Sequence, residues 1–527
     1  MAKIITAKEA AALIKNGDTV ASAGMALMGL CEDVIRATEQ RFLENGSPRD
    51  LTLIYGAHQG DKPSKEWGWN RWTHEGMLKR YIGGFIGATP GMIDLCMNNK
   101  IEAYCLPMGV INQLWPAIAG KTPGLITKIG LRTYVDPRLE GAKMNEVTKE
   151  DIVDLVNISG EEWLLYKSMK LNVGLIRGTV ADTRGNLSLS EESINGDSLA
   201  LARAVKNSGG IVIAQTKYLA EAGSLHPRDV HIPGVLIDYL VVCETPEETH
   251  LQNEAFYYNP TLCGNVKANL SAIPRIPLNE QKVIARRAAM EISRGDSINL
   301  GIGIPQNVAS VCVEEGVSDY VTATSESGIV GGVAIVGGAG FGNNYNPECI
   351  LDQDVQVNWY NGGGLNVAFL GLAESDAHGN VNVSKFGSLV NGPGGFIDIT
   401  QPTKKVIFCG TMMAGKLKTE VKDGQIHIVQ EGRSRKFVEA VQQVTFSGDY
   451  AVESGQEVLY ITERGVFRLT PDGLELIEIA PGIDLDKDII ANMGFRPRIS
   501  PDLKVMDACL FQEDWGGLKA IMDAKEA

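Results

Sequence analysis

The sequence predicts an α/β protein made of two copies of one open domain with a mainly parallel sheet, and places its site in the cleft between the copies. Three observations carry this expectation. A helix, a Gly-Asp stop, an apolar strand and a glycine loop follow one another twice, at Asn16-Gly17-Asp18 and again at Arg294-Gly295-Asp296. The run Leu171-Asn172-Val173, which leads through Asp182-Thr183-Arg184-Gly185-Asn186 to Leu187-Ser188, aligns without a gap with Leu365-Asn366-Val367, Asp376-Ala377-His378-Gly379-Asn380 and Val381-Asn382 at an offset of 194 residues. At the same offset Ile211-Val212-Ile213 falls on Lys405-Val406-Ile407. Motifs repeated in one order at one spacing indicate duplication.

Taken in order, Thr6 and Glu9 form a capping box for a helix over about 7–15, and the strand Thr19 to Ala23 then enters Gly24-Met25-Ala26-Leu27-Met28-Gly29. An insertion rich in Trp and Gly (Trp67, Trp69, Trp72, Gly83-Gly84-Phe85) offers aromatics for a core or a pocket wall. The Pro-punctuated stretch 272–277 divides the chain into 1–273 and 274–527. The second half opens with a helix over about 279–293, the strand Ser297 to Leu300 and the loop Gly301-Ile302-Gly303. Its last hundred residues alternate as strands (Gln425 to Val429, Glu457 to Thr462, Leu474 to Ile479) and close on a helical segment, Asp484 to Met493.

The 527 residues are 44% hydrophobic and 21% charged, ordinary globular material, with a formal charge of −15 that argues against nucleic acid and anionic membranes as partners. No apolar run reaches the roughly 18–20 residues of a membrane span, and the N-terminus reads as an amphipathic helix, not a signal peptide. Nine cysteines, odd in number and without a C-x-x-C pair, read as reduced thiols in a cytoplasmic protein. The seven histidines show no metal-ligand spacing; His378 reads as structural, within a turn.

One carboxylate stands out. The apolar run Tyr320 to Thr324 leads into Ser325-Glu326-Ser327-Gly328, which puts Glu326 at the C-terminal end of a buried strand, where open α/β sheets hold ligands. A glutamate there, followed by small residues, is placed to act as a nucleophile; the alternative is an ordinary solvated glutamate in a turn. Four glycine clusters surround it in sequence: Gly301-Ile302-Gly303, Gly337-Gly338-Ala339-Gly340, Gly362-Gly363-Gly364 and Gly392-Pro393-Gly394-Gly395. None spells a dinucleotide fingerprint, and Trp115 rules out a phosphate loop at Gly120-Lys121-Thr122. Glycines let backbone N–H groups approach a pyrophosphate or an oxyanion, and Lys385, between two clusters, is a candidate for a phosphate.

Ser325-Glu326-Ser327-Gly328 resembles the S-E-N-G signature of class I coenzyme A transferases, and Asn16-Gly17-Asp18-Thr19-Val20 with Gly24 and Gly29 resembles their N-terminal signature. Val383-Ser384-Lys385-Phe386-Gly387 with Gly394-Gly395-Phe396-Ile397-Asp398 resembles the paired motifs of their second half. Three stretches, 74–80, 135–141 and 360–365, resemble the propionate branch acting on short-chain acids. The resemblance implies a fused two-half enzyme in which Glu326 attacks an acyl-CoA and carries CoA as a glutamyl thioester. It implies CoA and oxyanion contacts at Gly301, Ile302, Gly303, Gly394 and Gly395, with Gly362, Gly363 and Lys385 added to that set, and a substrate pocket at Gly24, Met25 and Met108. It further implies acyl-CoA and a free acid as substrates, no permanently bound cofactor or metal, and a homo-oligomer, dimer or tetramer.

The pattern departs in four places. Ser327 replaces Asn, Ala23-Gly24-Met25 replaces Gly-Gly-Phe, Cys31 replaces Pro, and Met108 replaces a Gln that would hydrogen-bond acid or glutamate. Methionine offers an adaptable apolar surface instead, which points to a larger or aryl-substituted acid, against a neutral substitution as the alternative. Two other functions remain open at this level: an acyl-CoA hydrolase using the same glutamate, and a non-catalytic sensor of a CoA ester or sugar phosphate.

Overall fold

The computed structural model describes residues 2–61 and 66–525. Its first helix, Ala7–Leu13, starts on the expected capping box: Thr6 Oγ1 accepts the Glu9 N–H at 3.2 Å and Glu9 Oε2 accepts the Thr6 N–H at 2.8 Å. The helix is shorter than expected because Ile14 already takes extended backbone angles. The Gly-Asp stop then works the same way twice. Asp18 Oδ2 accepts the Lys15 N–H and Asp296 Oδ2 the Ser293 N–H, both at 2.7 Å. Gly17 and Gly295, at positive φ, donate to the carbonyls of Arg49 and Tyr320, both at 2.8 Å. The second helix of this kind, Glu280–Ala289, is capped by the Asn279 side chain on the Lys282 N–H.

Each half forms one large sheet. In the first, the strands lie in the order Lys3–Ile4, Tyr239–Val242, Ile211–Ala220, Val173–Asp182, Thr19–Ser22, Leu51–Tyr55, Leu78–Gly83 and Glu102–Cys105, all parallel. In the second, the run Glu457–Ile461, Lys405–Cys409, Val367–Gly371, Ser297–Leu300 and Thr322–Thr324 repeats the middle of that order, again parallel. The registers agree residue for residue. Val20 lies between Val173 and Leu53, and Ile298 lies between Val367 and Ala323. Val173 pairs with Ile211 as Val367 pairs with Lys405, the offset read from the sequence. The two turns that follow are also alike: one oxygen of Asp182 accepts from the Arg184 and Asn186 N–H groups, and one of Asp376 from those of His378 and Asn380.

The halves then diverge. The second sheet is extended by Gly465–Thr470, Gly473–Ile479 and Arg498–Val505. Gln425–Gln430 instead pairs with Lys418–Lys422 as a separate hairpin, and the closing helical segment is reduced to the short turns Leu485–Ile489 and Ile490–Asn492. Trp69 and Trp72 are fully buried, packed edge-to-face at 4.8 Å with Trp69 stacked on Tyr55, so they build core and no pocket wall. Among the described residues no helix is long and apolar enough to cross a membrane.

What positions the site is the seam between halves. Residues 391–394 of the second half run along the strand ends of the first: Asn391 O accepts from Ile86 N–H, Gly394 N–H donates to Gly84 O, and Met108 N–H donates to Gly394 O, at 2.7–2.8 Å. Gly84 has to be glycine, since a Cβ there would sit 2.2 Å from Gly56 O.

Asp376 is buried, and removing its carboxylate leaves the partly buried turn donors of His378 and Asn380 without their acceptor. Asp376→Ala is expected to cost about 2 kcal/mol, seen as a lowered urea midpoint, with Asp376→Asn retaining most of the difference.

Candidate active site

Glu326 stands two residues beyond the strand Thr322–Thr324, on a turn closed by Ser325 N–H to Ile329 O (2.9 Å) and Gly328 N–H to Ser325 O (3.0 Å). Gly328 has φ +105°, and a Cβ there would fall 2.1 Å from Leu351 O. Ser327 Oγ braces the turn, donating to Gly342 O at 2.6 Å. Register identifies the position in the other half: Leu53 matches Ala323, so Gly56 matches Glu326. A side chain at Gly56 would press on the Asn112 amide at 3.0 Å, so the equivalent place in the first half is filled by Asn112.

The Glu326 side chain is 6% exposed and has no ion-pair partner among the described residues. One oxygen receives two long contacts, from Asn299 Nδ2 at 3.3 Å and Ser325 Oγ at 3.4 Å. Burial raises its pKa above the ordinary glutamate value, and its own backbone N–H together with these two donors offsets only part of that. Beneath it, Tyr360 OH donates to Thr324 Oγ1 at 2.6 Å and accepts from Gln356 Nε2 at 3.1 Å, while Asn299 Nδ2 lies 3.4 Å from the same hydroxyl. A polar floor of uncharged groups thus holds a desolvated carboxylate.

Glu326 opens into a cavity of about 500 Å³ between the two halves. Met25, Met108 and Phe85 line it from the first half, and Gly301, Ile302, Gly394 and Gly395 from the second. Three of these converge closely. An ideal Cβ built on Gly395 would lie 3.4 Å from Glu326 Cγ and 3.6 Å from Met108 Cε. Glycine at 395 therefore leaves the Glu326 side chain uncovered on that side, with Met108 close by. The Gly394 N–H is committed to Gly84, whereas the Gly395 N–H meets no protein acceptor among the described residues.

The remaining expected residues lie outside this cavity, each for a local reason. Gly24 serves the turn Met25–Met28, where a Cβ would fall 2.2 Å from Met28 O. Gly303, at φ +89°, starts a short helix and donates to Gln306 Oε1. Gly362 and Gly363 end the helix Gln353–Asn361, donating to Asn358 O and Tyr360 O. Lys385 Nζ donates to Met144 O at 3.4 Å and is likewise not among the residues that line the cavity.

Sequence reasoning did not single out Asn299, His58, Phe341 or Arg177. The first three line the cavity. Arg177 is buried, holds the carbonyls of Leu27 and Leu30, and is paired with Glu192 at 2.7 Å. The Arg177 guanidinium and the hydrogen bond from His250 hold the Glu192 carboxyl down at about 2 in spite of burial. A lone Asn before Gly301 and a lone Arg in an apolar strand were the available signals. Asp398, within a quoted motif, proves to cap the helix Met108–Ala119 across the seam, accepting the Gly109 N–H at 2.9 Å; burial pushes its pKa to about 7.

A sequence model described as Coenzyme A transferase matches residues 4–243. The caffeate CoA-transferase of Acetobacterium woodii is 51% identical, over 99% of this chain and all of its own length. The chain belongs to the coenzyme A transferase family. The acetate CoA-transferase YdiF of Escherichia coli K12 is a further relative in this family, 43% identical over 96% of this chain and 95% of its own. A crystal structure of the acyl-CoA transferase YdiF of E. coli O157:H7, in a thioester complex with CoA, superposes with a TM-score of 0.91 at 41% identity, covering 98% of this chain and 97% of that one. The mixed α/β architecture with parallel sheets is thus that of a CoA transferase.

Two pH effects follow. A nucleophilic Glu326 has to be ionised, so kcat/KM should fall on acidification through a pKa above the ordinary glutamate value; a flat profile down to pH 4.5 excludes this. Asp398 binds its proton more tightly folded than unfolded, so its contribution to stability is full below about pH 4 and is lost as pH rises through about 7. Asp398→Asn keeps an acceptor for Gly109 and should flatten that part of the stability-versus-pH curve.

Proposed function

We propose that this chain transfers coenzyme A from an acyl-CoA to a free monocarboxylic acid, with Glu326 as the nucleophile. The observation that carries the reading is a buried carboxylate without a counter-ion, bared by Gly395 at the meeting point of the two halves. A Glu326 oxygen attacks the thioester carbonyl, the C–S bond breaks, and CoA leaves as thiolate from a mixed anhydride. The thiolate then attacks the glutamyl carbonyl, which releases the first acid as carboxylate and leaves a glutamyl-CoA thioester. The second acid runs the same two steps in reverse. No proton is gained or lost at any stage, and each step exchanges one activated acyl bond for another.

Each element of the site supports a demand of this chemistry. Desolvation strengthens the carboxylate as a nucleophile and keeps water from the intermediates. The unoccupied Gly395 N–H is the donor we assign to the tetrahedral oxyanion, a contact of a kind typically worth about 10²–10³ in rate. Residues 1–273 supply the wall with Met25 and Met108, which we assign to the acid, and residues 274–527 carry the nucleophile and Gly301-Ile302, which we assign to CoA. The buried Met25, Met28 and Met108 form one apolar cluster with Ala57 and Ile329, a deformable surface suited to a larger or aryl-substituted acid. The relative named for caffeate supports the same class. We place the enzyme in the cytoplasm, where its nine free cysteines stay reduced, and expect it to act as a homo-oligomer.

Incubation with acyl-CoA followed by mass spectrometry should show a CoA-sized adduct on Glu326 that hydroxylamine removes. Glu326→Gln should give no adduct and lose at least about 10³-fold in exchange rate. A wild type with neither adduct nor exchange overturns the reading. For the acid, a series from acetate to phenylpropenoates compared by kcat/KM should favour the larger members, and Met108→Gln should move the preference toward the short ones. Preference for acetate, unchanged in Met108→Gln, excludes the assignment.

A further inference from the structure

Coenzyme A is polyanionic, yet the cavity lining contains no Lys or Arg among the described residues. The thioester end can lie against Glu326, but the diphosphate and the 3′-phosphate need cations beyond the cavity's edge. The sequence offered Lys385 for this, and the structure directs that ammonium to Met144 O. A different lysine occupies the required place.

Strand Lys405–Cys409 runs beside Val367–Gly371, and the latter ends at the cavity, where Gly371, Leu372 and Ala373 form the lining. Gly410 follows the first of these strands. An ideal Cβ on Gly410 would lie 3.3 Å from Lys436 Nζ and 3.5 Å from Leu372 Cγ, so the ammonium stands within about 7 Å of the lining. The Lys436 backbone is fixed to the same edge, its carbonyl accepting the Ser375 N–H at 2.7 Å. Glycine at 410 is what leaves this space open.

Lys436 has no hydrogen-bond or ion-pair partner for its ammonium among the described residues. The carboxylate nearest in charge, Glu463, is already taken by Arg464 Nε at 2.8 Å and the Met412 N–H at 2.8 Å. Burial pushes the Lys436 pKa down, the mark of a cation held without an anion. The ribbon that carries it is basic too. Ser434–Arg435 pairs with Met413–Ala414, Arg433 N–H donates to Gly415 O beside Lys416, and Lys416, Arg433 and Arg435 are exposed and without ion pairs among the described residues. In a chain of net charge −15 such a local excess of positive charge needs a reason.

We propose that Lys436 binds a phosphate of coenzyme A at the edge of the cavity, with Lys416, Arg433 and Arg435 supplying the surrounding positive field. The inference rests on the transferase reading above. It gives the half-buried ammonium the charge-assisted partner that it lacks in the protein alone.

The test compares two donors, an acyl-CoA and the corresponding S-acyl-pantetheine, which keeps the thioester arm and lacks every phosphate. Lys436→Gln is expected to raise KM for acyl-CoA about tenfold, the effect of one lost charge-assisted contact, and to treat S-acyl-pantetheine as the wild type does. Lys436→Arg should stay within about threefold of wild type on both donors. An unchanged KM for acyl-CoA in Lys436→Gln overturns the proposal. So does an equal loss on both donors, which marks a structural role. If the wild type transfers CoA from acyl-CoA to no acid, the transferase reading fails instead, and the two failures are told apart in one assay.

Discussion

The dominant constraint on this molecule is a carboxylate kept out of water without a counter-ion. Glu326 has two long donor contacts on one oxygen and uncharged amides and hydroxyls beneath it, so its charged form is poorly compensated. A salt bridge would stabilise the charge and remove its reactivity. The polar floor of Asn299, Tyr360, Thr324 and Gln356 instead fixes the geometry at low electrostatic gain. Poor compensation is tolerable because the surrounding fold over-determines the turn: Gly328 and Ser327 lock it from both sides.

That arrangement needs two halves of one ancestry that have ceased to be equivalent. The sheets repeat strand for strand and register for register around their centres, so each half presents a strand end at the same level. One half places glutamate there and the other glycine at Gly56, whose space is taken by Asn112. The seam converts this asymmetry into a site. Backbone hydrogen bonds between residues 391–394 and Ile86, Gly84 and Met108 bring Gly395 close to Glu326 and to the first turn of the Met108 helix. Asp398 capping that helix across the seam ties the position of Met108 to the second half.

Much of this was legible in the sequence. The paired Gly-Asp stops, the ungapped offset and the strand-end glutamate all depend on local backbone requirements, and local requirements leave local residue patterns. The cavity also gathers Met25, Met108, Gly301, Ile302, Gly394 and Gly395, all expected from the sequence. Gly24, Gly303, Gly362, Gly363 and Lys385 were also expected at the site and lie outside the cavity lining. Asn299 and Arg177 went unnoticed because one polar residue in an apolar strand carries no periodic signal, and their partners lie far away in the chain.

The sequence by itself determined the repeated α/β architecture and the strand-end position of Glu326, since both rest on short-range patterns of apolar period, turn chemistry and one carboxylate at a strand end. Only the tertiary structure decided which glycines line the cavity and which lysine lies near its edge. A glycine at positive φ or under a close backbone contact looks the same in sequence whether its neighbour is a helix end, as at Gly363, or an open cavity, as at Gly394. A lysine likewise reveals its partner only once packing has set the direction of its long side chain, toward a carbonyl for Lys385 and toward the cavity's edge for Lys436.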